Sequence, residues 1–486
     1  MVDIDRRSLL RGAAAAAGGA VLGGPFAGFA ARAASAVEPD SLPFRELREV
    51  RDLRDNEVRL WLPEGFQYRS FHDTEFPVVL DDGTRLPGRH DGMAAFRGPD
   101  DSVILVRNHE LNGPVGAFGD PAAAYDPITG GGTTTIQVTR FGEVIRSYTS
   151  LNGTQMNCSG GPMPWGSWIT CEETVNGPDV LPDFTGAPNE DLTKPHGFIF
   201  EVPSRGLSDR QPIRSAGRFA HESVAFDPRE GILYLTEDDF GFPSGFYRYR
   251  PPRHPRKAGR LLDGGQLQML KVRGQSNANL AASQPRRATY RVEWVDIDNP
   301  APFFDVADPE AQNTALTFVA DQGWKQGAAF FSRLEGSAYD NGVVYFCSTQ
   351  GGGPAETSIG PIANGYGNGF GQIWAYHTRA QILQLVYESP GPDVLDFPDN
   401  VTTSPRGTLV VCEDSGNGNY VLGLSRGGQL FRIAWNRLVS RDGTTRFNDE
   451  FAGSTFSPDG HTLFVNIQAG NGMTYAIWGP WHRLGV

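Results

Sequence analysis

Three observations predict an all-β fold, a β-propeller of six blades with loop insertions. Glycine is in excess, at 60 of 486 residues against about 7% in an average protein. Aromatic groups are plentiful, with 30 Phe, 14 Tyr and 9 Trp, so the chain has large side chains to bury. A short pattern also recurs six times: a turn of Pro, Asp or Gly, a β-branched or aromatic run, then a polar or acidic end.

The copies follow in order. Pro99-Asp100-Asp101-Ser102 precedes Val103–Val106 and ends in Arg107-Asn108-His109-Glu110. Trp165-Gly166-Ser167 precedes Trp168–Thr170 and ends in Cys171-Glu172-Glu173. Asp227–Gly231 precedes Ile232–Leu235 and ends in Thr236-Glu237-Asp238-Asp239. Tyr339–Gly342 leads into Val343–Phe346 and Cys347-Ser348-Thr349-Gln350. Ser404–Gly407 leads into Thr408–Val411 and Cys412-Glu413-Asp414. Ser457–Gly460 leads into Thr462–Val465 and Asn466-Ile467-Gln468. Successive copies start about 55–65 residues apart, with one gap of about 110, a period that fits a four-stranded blade. The wide gap contains a basic, Gln- and Pro-rich stretch around 251–290, expected to be a surface insertion. The Gly-rich stretch 351–370 is expected as a loop near the channel mouth. There is no Gly-X-Y period, and so much glycine argues against a helical bundle.

Residues 1–36 are read as an export leader and 37–486 as one propeller domain. Asp5-Arg6-Arg7-Ser8-Leu9-Leu10 is a twin-arginine motif; an Ala/Gly-rich apolar stretch follows, and Ala34-Ser35-Ala36 is a small-x-small cleavage site. The twin-arginine translocase is therefore an expected partner and the periplasm or the exterior the expected location. No stable membrane insertion is expected, and the chain is expected to be a monomer. With 43 Lys and Arg against 56 Asp and Glu, the net charge is −13, which argues against nucleic acid as a partner.

The ends of the repeated runs collect Glu110, Cys171, Glu172, Glu173, Glu237, Asp238, Asp239, Glu413 and Asp414. Glu222 and Glu335 stand in the motifs Gly217-Arg218-Phe219-Ala220-His221-Glu222 and Arg333-Leu334-Glu335-Gly336. A propeller aims such ends at one mouth of its channel, where crowded carboxylates need cations or protons. Oxygen-rich sites suit calcium or magnesium; an added thiolate suits iron or zinc. Bland readings stand beside these. Asp238 and Asp239 also fit turn caps, Cys347 and Cys412 fit buried apolar positions, and Cys158 with Cys171 fits a disulfide. No His-x-x-x-His, Gly-x-Ser-x-Gly or Walker loop is present.

Asn157-Cys158-Ser159-Gly160-Gly161, Pro164–Glu173, Gly217–Glu222, Asn108-His109-Glu110 and Arg333–Gly336 resemble the PhoX-type alkaline phosphatases, over roughly residues 40–480. The resemblance implies a phosphomonoester hydrolase with a two-iron centre and nearby calcium ions in a propeller channel, acting on a small phosphate ester. Carried over, Cys171 is an iron ligand, with Glu335 and Glu413 completing much of the iron shell. Glu110, Glu173, Glu222 and Glu237 serve iron or calcium. Asn108 and Arg218 or Arg333 hold phosphate oxygens. The chain is shorter than the characterised members, a compact branch. The competing readings are a calcium-dependent lactonase-like propeller hydrolase and a non-catalytic binding propeller.

Overall fold

The structure, a computed structural model, describes residues 46–181, 189–306, 311–357, 360, 362 and 364–486; the leader motif lies outside them. The six apolar runs are all strands: Val103–His109, Ser167–Glu172, Ile232–Glu237, Val343–Ser348, Leu409–Glu413 and Thr462–Gln468. None of them lines the centre. Each pairs antiparallel with the strand before it: His90–Arg97, Asn157–Met163, His221–Asp227, Leu334–Asp340, Pro398–Thr403 and Glu450–Phe456. These inner strands adjoin one another in chain order, and Glu450–Phe456 returns to His90–Arg97. The ring is closed, so no inner edge is left to pair with another chain, and the architecture is a β-propeller.

Closure relies on the N-terminal part of the domain. Gln67–Phe71 pairs with Met473–Trp478 and completes the last sheet. Two further strands, Arg48–Arg51 and Val58–Leu62, extend the sheet of 398–436 through Leu60 and Trp61. Apolar cores fill the spaces between neighbouring units; Leu105, Ile136 and Val138 of the first, for example, pack on Phe464 and Ala476 of the last.

The stretch around 251–290 is less of an excursion than its composition suggests. Gln266–Val272 is a strand with Leu267, Met269, Leu270 and Val272 buried. Thr289–Asp296 pairs with it and also with Ile382–Glu388, joining two units in one nine-stranded sheet. The polar composition belongs to the exposed residues around these buried ones. The helix Ala311–Trp324 covers this region, with Val319, Ala320 and Trp324 in the core.

Candidate metal centre

Every inner strand carries a bulge near its start. On the partner strand, one residue faces two. The pairs are Asp91-Gly92, Cys158-Ser159, Glu222-Ser223, Glu335-Gly336, Asp399-Asn400 and Gly453-Ser454. A bulge leaves its extra residue out of the ladder and redirects its side chain. Small residues accompany the acids because the backbones nearly touch. A Cβ on Gly92 would lie 2.5 Å from Ser159 Cα, and one on Gly336 2.7 Å from Asn400 Cα.

The bulges bring a thiol and carboxylates together. Cys158, Glu173 and Glu222 form one group; Glu222, Glu335 and Asp399 a second; Asp399, Asp414 and Glu450 a third. Within each, the ligating atoms lie within 4.8 Å of one another. Glu222 and Asp399 are shared, so the three groups form one chain of sites. All are buried except Asp414, which is half-buried.

Their electrostatics call for protons or a cation. Burial, then Asp399, Glu173 and Asp91, pushes the Glu222 carboxyl well above its usual range. Burial, Asp238 and Asp399 push up Glu335, against the pull of Arg333. Burial, Glu222 and Glu173 do the same to the Cys158 thiol. Without a cation these groups hold protons; with one they become ligands. The donor sets fit the expected metals. The thiol-containing group suits iron, and the all-oxygen group Asp399, Asp414 and Glu450 suits calcium.

Of the residues expected from sequence, Glu173, Glu222 and Glu335 belong to these groups. Glu413 does not: its carboxylate accepts from the backbone N–H of Asp396 (2.9 Å) and Tyr420 (3.1 Å), and burial raises its pKa to about 8. Glu237 accepts from Gly245 N (2.7 Å) and Tyr247 Oη (2.8 Å). Glu110 is bound by Arg89 and Gln468. Cys171 lies outside all three groups, in the apolar core with Ile169, Ile199 and Leu235. It sits opposite the bulge that presents Cys158. All four cysteines are free thiols, so Cys158 and Cys171 are not joined.

The expected phosphate-binding residues also separate. Arg218 is fully buried; Asp179 takes two of its bonds (2.6 and 2.9 Å), and the carbonyls of His196, Val175, Asn176 and Pro302 take the rest. Asn108 donates to the carbonyls of Cys158 (2.9 Å) and Ser159 (2.8 Å) and accepts from Trp168 Nε1 (2.9 Å). It grips the next unit's bulge from behind, as Thr236 does by donating to the Glu335 carbonyl at 2.7 Å. Arg333 stands at the cluster itself, bonded to Asp238 (3.1 and 2.7 Å) and Glu335 (2.8 Å).

Sequence reasoning assigned no ligand role to Cys158, Asp399, Asp414 or Glu450. A signal existed. In Glu222-Ser223, Glu335-Gly336 and Asp399-Asn400, an acid is followed directly by a small or amide residue near the start of a strand. Below the bulges the channel opens into a cavity of about 890 Å³, lined by Phe96, Trp165, Phe226, Tyr339, Arg97 and Arg205 among others.

The fold matches known proteins. Pseudomonas fluorescens PhoX, solved in complex with vanadate, a transition state analogue, aligns with a TM-score of 0.62 and 16% identity, over 90% of this chain and 98% of that one. A Xanthomonas campestris gluconolactonase aligns at 0.36 with 13% identity, over 85% and 97% of the two chains. No curated protein matches the sequence. The family described as alkaline phosphatase PhoX matches residues 46–471. With nearly the whole propeller inside that match, the chain belongs to the alkaline phosphatase PhoX family.

Proposed function

We propose that the reaction of this chain takes place at the bulge cluster, with iron held by Cys158, Glu173, Glu222 and Glu335 and calcium by Asp399, Asp414 and Glu450. Family membership gives the activity: a metal-dependent alkaline phosphatase that hydrolyses phosphomonoesters. The observation that carries the placement is the convergence of one thiol and six carboxylates in the ring. Bound metal supplies Lewis-acid charge to the phosphoryl oxygens.

The chain's own residues do the rest. Arg333 is fixed on one side by Asp238 and Glu335, and its Nη1 makes no hydrogen bond to the described residues. That nitrogen is placed to meet a phosphoryl oxygen and to offset charge that grows during transfer. Asp238 sets its orientation. Asn108 acts through the bulge and does not contact the ester. Arg218, with its donors occupied, stays structural. No side-chain nucleophile is needed, since phosphoryl transfer to water is largely a matter of positioning and charge.

The finer features of the sequence reading belong to the same proposal. The protein leaves the cytoplasm through the twin-arginine translocase and works outside as a monomer. No helix among the described residues is long and apolar enough to cross a membrane.

Metal analysis of the purified holoenzyme, beside hydrolysis of p-nitrophenyl phosphate, tests the reading. Iron and calcium both present, with turnover lost on chelation, is the expected result. Calcium without iron, and turnover that survives Cys158→Ala, would take the iron site away from the bulge cluster.

A further inference from the structure

The seam where the ring closes holds a buried cation. Arg107 lies on Val103–His109, facing the last unit, and its side chain is fully buried. It donates to Thr474 Oγ1 (2.8 Å), Thr134 Oγ1 (3.3 Å) and His72 Nδ1 (3.3 Å). No carboxylate among the described residues lies within ion-pair distance of it, and its Nε has no partner. An arginine in a protein cannot shed its proton, and a buried charge without a counter-ion is costly.

The neighbours do not supply that counter-ion. His72, His90 and His109 are buried around Arg107, their pKa values held well below the usual range by burial and by the guanidinium. The hydrogen bonds agree with neutral rings. His109 Nδ1 donates to the Gly88 carbonyl (2.9 Å), which leaves Nε2 to accept from Thr134 Oγ1 (3.0 Å). His72 Nδ1 accepts from Arg107. His90 Nε2 donates to the Pro87 carbonyl (3.2 Å), and its Nδ1, also buried, has no partner. The pocket therefore carries one positive charge.

We propose that Arg107 binds a small monovalent anion of the halide type through its Nε, at the junction of the closing strand, the first unit and the last. One uncompensated charge calls for a monovalent ion, and the full burial of Arg107 calls for a small one. His72 follows the closing strand Gln67–Phe71 directly, Thr474 pairs with Phe71, and Arg107 and Thr134 belong to the first sheet. A bound ion would thus fasten the ring where it closes, independently of the metal centre.

The test melts the holoenzyme in sodium gluconate, chloride or bromide at equal ionic strength. Chloride and bromide should raise the Tm saturably, by roughly 2 °C at ten-fold excess over Kd, and Arg107→Met should abolish the dependence. Crystals of the wild-type holoenzyme soaked in bromide supply the second measurement should the variant fail to fold: an anomalous peak beside Arg107 Nε supports the site. No halide-dependent shift in the wild type, or bromide found only elsewhere, overturns it.

Discussion

The channel and the seam bury charge in opposite ways. At the channel, four bulges and the strand ends beside them bring Cys158, Glu173, Glu222, Glu335, Asp399, Asp414 and Glu450 together, with Arg333 as the cation in contact. At the seam, Arg107 is surrounded by hydroxyls and neutral histidines, with no carboxylate of the described residues in contact. Each arrangement is locally well packed and electrostatically incomplete, and such a conflict marks a place where something else binds. The difference lies in what the fold supplies. Four of the six bulges carry a carboxylate and a fifth a thiol, so the channel can take several multivalent cations. The seam delivers one charge.

The largest effect should come from exchanging the two neighbouring cysteines in this picture. Cys158→Ala should remove iron and lower kcat/KM by about 100-fold or more, as expected when a ligand is lost. Cys171→Ala, one strand further out, should keep iron and turnover and cost about 1 kcal/mol of stability through the small cavity left. Iron content and p-nitrophenyl phosphate kinetics on both variants decide it. The reverse pattern would move the centre off the bulges and end the contrast between channel and surrounding strands. Asp399→Asn divides the channel further. Asp399 belongs to two groups, so its variant should lose both metals, whereas Asp414→Asn should lose calcium alone.

The cysteine pair also shows what was legible in the sequence. The repeated runs were visible because a buried strand flanked by turns has a strong apolar signature. Those runs are the second strands of their units, however. Asn108, Cys171, Thr236, Cys347 and Cys412 recur at one position because each faces a bulge across the ladder. The inner strands, such as Leu334–Asp340 and Pro398–Thr403, are polar at their starts and rich in small residues. Close approach of backbones requires that composition, and it hides the strand from any search for hydrophobic periodicity. The resemblance named Glu173, Glu222 and Glu335, which stand in the cluster, and the motifs of Glu222 and Glu335 span bulges. It also named Cys171 and Glu413, which lie on the second strands of their units and outside the three groups. Glu413 is spent on two backbone N–H groups, whereas Asp414, the next residue past the end of the same strand, reaches the cluster.

Asn108 offers a smaller test of the channel. It touches neither metal ligand's side chain but holds the Cys158 and Ser159 carbonyls. Asn108→Ala should weaken iron affinity by about 10- to 100-fold, the usual penalty for losing a group that orients a ligand. Turnover of the fully loaded enzyme should fall much less, and KM for the ester should stay near its wild-type value. A raised KM with unchanged iron affinity would instead make Asn108 a phosphate contact.

The mildest prediction concerns another buried cation, which contrasts with Arg107 because carboxylates surround it. His196 Nδ1 lies 2.6 Å from Glu172 and its Nε2 3.6 Å from Asp126. Burial works against its charge, but Glu172 and Asp126 prevail and raise its pKa to about 9. The partner Asp126 is held down to about 2 against its own burial, by His196 and the backbone N–H groups it accepts. The folded histidine binds its proton more tightly than the unfolded one. Its contribution is therefore complete below about pH 6.5 and is lost as pH rises through about 9. The contribution of Asp126 runs the other way, present above its ordinary carboxyl pKa and lost as pH falls through about 2. Melting curves between pH 6 and 10 should show the Tm of the wild type falling across the alkaline half. His196→Gln should start lower and lack that fall, and chloride should leave the difference between the two unchanged, because this cation already has its counter-charges. An alkaline fall of equal size in the variant would assign it to other groups and leave His196 neutral.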